Sequence, residues 1–391
     1  MVDRGVAAGA LLVAVLFSAG TSAQTSHRHS SSSLTEVSSD PSRLRATLSR
    51  ELAKLWTRDP EKLVSTIGDA NESSGGAVPL SFLLAIAHAE TNGKVLIVSE
   101  AGAVGLAQAT PIAYLREGFK GKLFVNDDYV TASRAYIMKK PLGDASGIAE
   151  RLADRCDSRH IARALELLHA AFALRREGMA ELPTLTPYAP DDFLEKIAED
   201  DLHNVEVLLE LDALLVDPDV GRLREFSERA EKEYQEKKLF QQLAWKRYQK
   251  ELMHRRDELI RVSFGADPEP LKRQRAYEVG ELLGRELDAR FSPTEMARFL
   301  VAHVATKQRE ARALHATSDV ELDELTAALY NGGAPNVLRM EAGLIRSLRE
   351  TEQYKKKVPA TRRRLDASIR RAAKAATGSA GLTRISHRPL S

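Results

Sequence analysis

The chain has 391 residues, of which 43% are hydrophobic, with a net charge of +2 and one cysteine. Such a length and composition suit two or three folded domains and exclude a disordered or collagen-like chain. The near-zero net charge gives no global field for nucleic acid, and Cys156 alone can form neither an internal disulfide nor a cysteine-based metal site.

Residues 1–23 carry Arg4, an apolar run from Val6 to Phe17 and the small residues Ser18 to Ala23, the pattern of a secretory signal peptide cleaved after Ala23. The run is shorter than a membrane anchor requires. Residues 24–42, rich in Ser, read as a flexible linker. Export, to a periplasm or to the outside, is the expected fate.

Leu44, Leu48, Leu52 and Leu55 recur at helical steps, and Asp59-Pro60 predicts an N-cap and first-turn proline for a second helix through Leu63 and Ile67. Pro79 and Gly93 then bracket a third helix, whose apolar stripe of Leu83, Ile86 and Ala87 ends in Glu90. A carboxylate in the last turn opposes the macrodipole, and apolar neighbours add a desolvation cost. Both effects raise its pKa, towards an acid able to hold a proton and donate it. The plain alternative is a solvated glutamate at a fraying helix end. Two positions before it, His88 points away on the helix and reads as structural. Gly102 and Gly105 predict a tight backbone leading into another helix around Gln108.

Helical stripes continue through Ile161, Ala164, Leu165, Leu168 and Phe172, and through Val205, Leu208, Leu209, Leu211 and Leu214. Leu223 to Ile260 is dense in charge, with apolar residues at helical steps. The a and d positions are too often Lys or Gln for a coiled-coil seam, so a long helix packed along its own domain is expected. Asp267-Pro268-Glu269-Pro270 is a break, and Ser292-Pro293-Thr294-Glu295 is a capping box opening a helix through Phe299, Leu300 and Val304. Tyr330-Asn331-Gly332-Gly333 has the composition of a helix terminus. After Glu352 the chain turns basic, from Lys355 to Arg388 with Asp366 as its one acid. That stretch reads as a solvated tail or as one drawn to an anionic envelope surface; no aromatic residues interleave the charges as nucleic-acid binding would want. The strand signals, Val95 to Val98 and Leu123 to Val125, are short and isolated, so the fold class is mainly α.

Three segments, in order, resemble the lysozyme-like lytic transglycosylases. The first runs from Glu90-Thr91 through Ser99, Gly102-Ala103, Gly105-Leu106, Gln108 and Pro111, at the spacing of that family's Glu-Ser and Ser-x-x-Gly-Ala-x-Gly-Leu-Met-Gln-x-x-Pro. The second is Ala327-Ala328-Leu329-Tyr330-Asn331-Gly332-Gly333, similar to Ala-Tyr-Asn-x-Gly with one extra residue, and the third is Glu350-Thr351-Glu352-Gln353-Tyr354 with Val358. Together they cover about seventy residues.

The resemblance implies a lysozyme-like catalytic domain in two parts, 43–150 and 318–360. These are separated by a large all-helical insertion at 151–317 and followed by a basic tail at 361–391. It implies cleavage of peptidoglycan glycan strands by a single glutamate, Glu90, acting as acid and then as base, without metal or cofactor. Thr91, Gln108, Tyr330 and Asn331 are the implied substrate-binding positions, with Glu350 and Tyr354 in support. Gly93 replaces an aromatic residue of the family and Ala107 its methionine, which would thin the groove wall. A glycan-binding or scaffold module that has lost catalysis is the alternative.

Overall fold

The computed structural model describes residues 40–314, 316, 318–341 and 349–382. The expected signal peptide at 1–23, nearly all of the expected linker, and residues 383–391 of the basic stretch lie outside them. The chain is mainly α, and among the described residues the only β pairing is a pair of isolated bridges, Val98 with Val104 and Val104 with Ala109. No helix among these residues is long and apolar enough to cross a membrane.

Helix α1 (Pro41–Ala53) starts under Asp40, whose carboxylate accepts from the Ser42 and Arg43 N–H groups, and it buries Leu48 and Leu52 completely. Helix α2 (Pro60–Ser73) also opens with proline. Asp59, however, sits in the left-handed region at φ 41° and makes no side-chain cap, contrary to the expected N-cap. Helix α3 (Leu80–Thr91) is buried on nearly every side from Ser81 to Ala87. The chain continues through α4 (Pro111–Arg116), α5 (Asp127–Asp154) and α6 (Ser158–Glu181), then α7 (Phe193–Val216) and the 45-residue α8 (Val220–Phe264). Asp219 caps the start of α8 and Gly265, at φ 60°, closes its end. At 1.5 Å per residue α8 is about 67 Å long.

The Asp267 break instead caps a short helix, α9 (Pro268–Gln274), before α10 (Ala276–Glu286). Ser292 caps α11 (Pro293–Ala313) by accepting from the Glu295 N–H at 3.1 Å. Only this half of the capping box forms, because the Glu295 carboxylate accepts from Tyr114 at 2.8 Å. Helix α12 (Asp319–Glu341) is interrupted at Gly333 (φ 69°, ψ 154°), where its terminus was expected, and α13 (Arg349–Leu382) ends the described chain.

Two large apolar cores result, with a small third cluster of Ala311, Ala328, Leu329 and Val337 between α11 and α12. The larger gathers α1 to α3, residues 95–109, the first half of α5, the second half of α8, and parts of α10 to α13. The smaller joins the end of α5, α6, α7 and the start of α8 around Leu152, Leu168, Leu211 and Phe226. Helices α5 and α8 lie along each other and belong to both. Residues 151–317 therefore do not form one separate body. Val279, Leu283, Phe291, Met296, Phe299 and Val304 all pack in the larger core. Helical periodicity shows that a face is buried but not which core receives it.

Residues 361–382 likewise continue α13, where a tail had been expected, and its inner face is bound to the domain. Val358 and Leu365 are fully buried. Arg364 and Ser368 donate to Glu51 at 2.6 and 2.9 Å, and Arg362 pairs with Asp323. Against the push of burial, those bonds and one from Lys54 hold the Glu51 carboxyl down at about 2.

Candidate active site

Helix α3 stops in a clamp. Asn92 (φ 53°) and Gly93 (φ 80°) both turn left-handed. The Asn92 side-chain amide donates to the Trp56 carbonyl at 2.9 Å, the Asn92 backbone carbonyl accepts from Arg58 N–H at 2.8 Å, and Thr57 Oγ1 lies 2.9 Å from His88 Nδ1. A Cβ at Gly93 would stand 2.5 Å from the Arg58 carbonyl. No aromatic side chain fits here, because the Thr57 side chain and the Arg58 backbone fill the space beside Gly93, and His88 has the structural role expected of it.

Glu90 lies one turn back, half-buried. Desolvation pushes its pKa up to about 7, helped by the Glu350 carboxylate and opposed by the Tyr354 hydroxyl and the Lys357 ammonium. This is a glutamic acid that can carry its proton near neutral pH. Thr91 is more deeply buried. It is 5% exposed, and its hydroxyl is directed to the Ala87 and Leu106 carbonyls at 3.2 and 3.4 Å. It therefore fastens the helix end to the following loop, which corrects its expected place in the groove.

That loop is drawn tight by the two isolated bridges and by three residues of positive φ, Gly102, Gly105 and Gln108. A Cβ at Gly105 would lie 2.0 Å from the Arg290 carbonyl and one at Gly102 2.6 Å from the Tyr248 ring, so both positions require glycine. Gln108 sits on the turn at φ 48°, not on the helix expected around it, since α4 begins only at Pro111. Its amide donates to the Gly105 carbonyl at 2.9 Å. A left-handed conformation costs a glutamine roughly 1–2 kcal/mol, which the surrounding structure has to enforce. Ala107, where the family has methionine, is 1% exposed, so its side chain faces the core and leaves no gap in a wall.

The other two motifs fold back onto this turn. Tyr330 O–H donates to the Ala107 carbonyl at 2.7 Å. Its ring lies parallel to that of Tyr354, with centroids 6.4 Å apart and planes 2° from parallel. Thr351 donates to Asn331 Oδ1 at 3.0 Å, so the closing motif holds the Asn beside the Tyr. The Glu90 charge acts on both tyrosines, whose hydroxyls burial already holds in the neutral form. The Tyr354 hydroxyl is buried and, among the described residues, forms no hydrogen bond of standard geometry. Glu350 is exposed and close enough to Glu90 to raise its pKa. Glu90, Gln108, Tyr330, Asn331, Glu350 and Tyr354 are thus one neighbourhood; Thr91 serves it from beneath.

A second set of residues was not foreseen. Arg290 and Asp288, both 0% exposed, form a salt bridge of 2.6 Å directly behind the loop. Arg290 Nη1 donates to the Gly102 and Ala109 carbonyls at 3.0 Å and Nη2 to the Tyr248 hydroxyl at 2.9 Å. Asp288 also accepts from the Phe124 N–H at 3.1 Å. The one available signal was the pair of glycines, since a backbone that close needs something to close against. Among the described residues no group of three or more His, Cys, Asp or Glu side chains is placed to hold a metal ion. Compared with family profiles, with curated proteins and with solved structures, the chain finds no match.

Proposed function

We propose that this chain is an exported lytic transglycosylase with a lysozyme-like catalytic domain, acting on the bond between N-acetylmuramic acid and N-acetylglucosamine in peptidoglycan. The observation that carries the reading is Glu90, half-buried with its pKa raised to about 7, gathered with Tyr330, Asn331 and Tyr354 from segments far apart in the chain. In the forward step the protonated Glu90 gives its proton to the glycosidic oxygen as the bond to the sugar carbon breaks. The resulting carboxylate faces the positive charge developing at that carbon and then takes the proton of the sugar's own 6-hydroxyl, whose oxygen closes a 1,6-anhydro ring. No water is consumed and the glutamic acid is regenerated. The Gln108 side-chain carbonyl and the Asn331 amide supply the polar groups that orient the N-acetyl substituent. The parallel Tyr330 and Tyr354 rings keep water away from the acid.

A second contact is proposed for the outer face of α13. Lys356, Arg363, Arg370 and Lys374 are all exposed and, at steps of seven, seven and four residues, share one side of the helix over about 27 Å. That stripe suits an anionic envelope surface, to which attraction would weaken with salt.

The test is incubation of residues 24–391 with peptidoglycan sacculi and mass spectrometry of the released muropeptides, beside Glu90→Gln. Anhydro-muropeptides from the wild type alone support the reading. Reducing ends would mean hydrolysis. Binding without release would favour a glycan-binding scaffold.

A further inference from the structure

One buried histidine–carboxylate pair beside the site has no part in the chemistry above. His303, on α11, is 7% exposed, and its Nδ1 stands 2.7 Å from Oε1 of Glu117, the residue that ends α4. The other Glu117 oxygen accepts from the Thr306 hydroxyl at 3.0 Å. Phe299 stacks on the imidazole at 5.1 Å with planes 17° apart, and the Tyr330 ring meets it edge-on at 5.2 Å and 65°. From Tyr330 the contacts run in two directions: through its hydroxyl to the Ala107 carbonyl, and across its face to Tyr354 and so to Glu90.

The charges around this ring define its state. Burial disfavours the imidazolium, as do the Lys307 ammonium and Arg116 guanidinium, and only Glu117 favours it, so the His303 pKa is lowered. Against the push of burial, the His303 hydrogen bond and the Thr306 hydroxyl keep the Glu117 pKa below the usual carboxylate value. A neutral imidazole donating Nδ1–H to a carboxylate follows, which fixes both tautomer and ring plane. Stability alone gives little reason for such a pair, since well-packed apolar side chains of similar volume commonly serve as well or better. What the pair supplies is direction, because the ring cannot turn without breaking a 2.7 Å bond.

We infer that Glu117 and His303 are positioning residues for the acid. They fix the edge of Tyr330, which in turn holds the 105–108 turn and the Tyr354 ring against Glu90. The inference rests on reading Glu90 as the proton donor.

The experiment follows the Glu90 carboxyl itself, by carbon NMR titration with the signal assigned through Glu90→Gln, in wild type, His303→Phe and His303→Gln. Phe keeps a ring in the stack without a donor to Glu117, and Gln keeps a donor without the ring. If the pair positions the tyrosines, both variants let water reach Glu90, and its midpoint falls from about 7 by roughly one unit, towards the ordinary glutamate value. Turnover falls about tenfold or more, with KM within about twofold. Should either variant fail to fold by circular dichroism, Glu117→Leu, which removes the acceptor that holds the ring, takes its place with the same expectation. An unchanged Glu90 midpoint in folded variants overturns the inference. Because the titration needs no turnover, a wild type that releases no anhydro product sinks the transglycosylase reading separately.

Discussion

The Arg290–Asp288 pair behind the 97–109 loop and Glu90 at the end of α3 are treated by the protein in opposite ways. Arg290 and Asp288 have no exposure at all, and guanidinium, carboxylate, hydroxyl and carbonyls satisfy one another there. Glu90 is half-buried, has no ion pair among the described residues, and faces a tyrosine hydroxyl that forms no standard hydrogen bond with it. A buried charge with every valence met is a fastener. One that is desolvated and left unmet is unstable as a carboxylate, and that instability is what an acid catalyst requires.

The contrast can be broken from either side. Arg290→Met leaves the Asp288 carboxylate buried and unpaired and two loop carbonyls without a donor. A loss of roughly 3–5 kcal/mol is expected in urea unfolding, with less in the double variant Asp288→Leu/Arg290→Met. Similar losses in the two would mean that the pair is not the fastener.

Glu90→Gln has the opposite sign. Cleavage should fall by roughly 10²–10⁴-fold. Stability, though, should rise, because the folded-state pKa of about 7 lies above the ordinary glutamate value of 4.5. Folding is therefore penalised by ionising Glu90: the penalty is absent below the unfolded pKa, grows from there to about pH 7, and is constant above it. At about 1.36 kcal/mol per unit it reaches at most roughly 3 kcal/mol, reduced by whatever water reaches the group. Thermal melts of both proteins at pH 4 and pH 8 should therefore coincide at the first and diverge at the second. The same titration predicts that wild-type kcat/KM falls as pH rises through about 7, since the forward step needs the protonated acid.

Tyr330→Phe keeps the stack on Tyr354 and removes the bond to the Ala107 carbonyl. About 1 kcal/mol of stability should be lost, with a larger proportional fall in turnover than in binding. The smallest effect belongs to the exposed stripe of α13. Charge reversal at Lys356, Arg363, Arg370 and Lys374 should leave melting within about 0.5 kcal/mol of wild type and abolish any salt-sensitive binding to anionic vesicles. Unaltered vesicle binding would leave those residues as a solvated face.

Much of this arrangement was legible in the sequence. The 3.6-residue period and the flanking Pro79 and Gly93 put Glu90 in the last turn of an apolar helix, where dipole and desolvation act together. Thr91 was misread because a hydroxyl next to the acid points where the helix turns it, in this case into the Leu106 carbonyl. The supposed losses at Gly93 and Ala107 were misread for a related reason. A side chain lines a groove only if its backbone faces one, and here those two positions face the 56–59 segment and the core.

By itself the sequence determined the helical class, the long charged helix, the Ser292 cap, and an acid at the end of a buried helix. These are local properties, set by residue spacing, proline and glycine. Only the tertiary structure decided that the Tyr330 and Tyr354 segments close over that acid. The same holds for α10 and α11 packing in the core beside it, and for Arg290 reaching the loop. Each of these depends on contacts between residues far apart in the chain, and a hydrophobic or charged side chain carries no record of which distant partner it will meet.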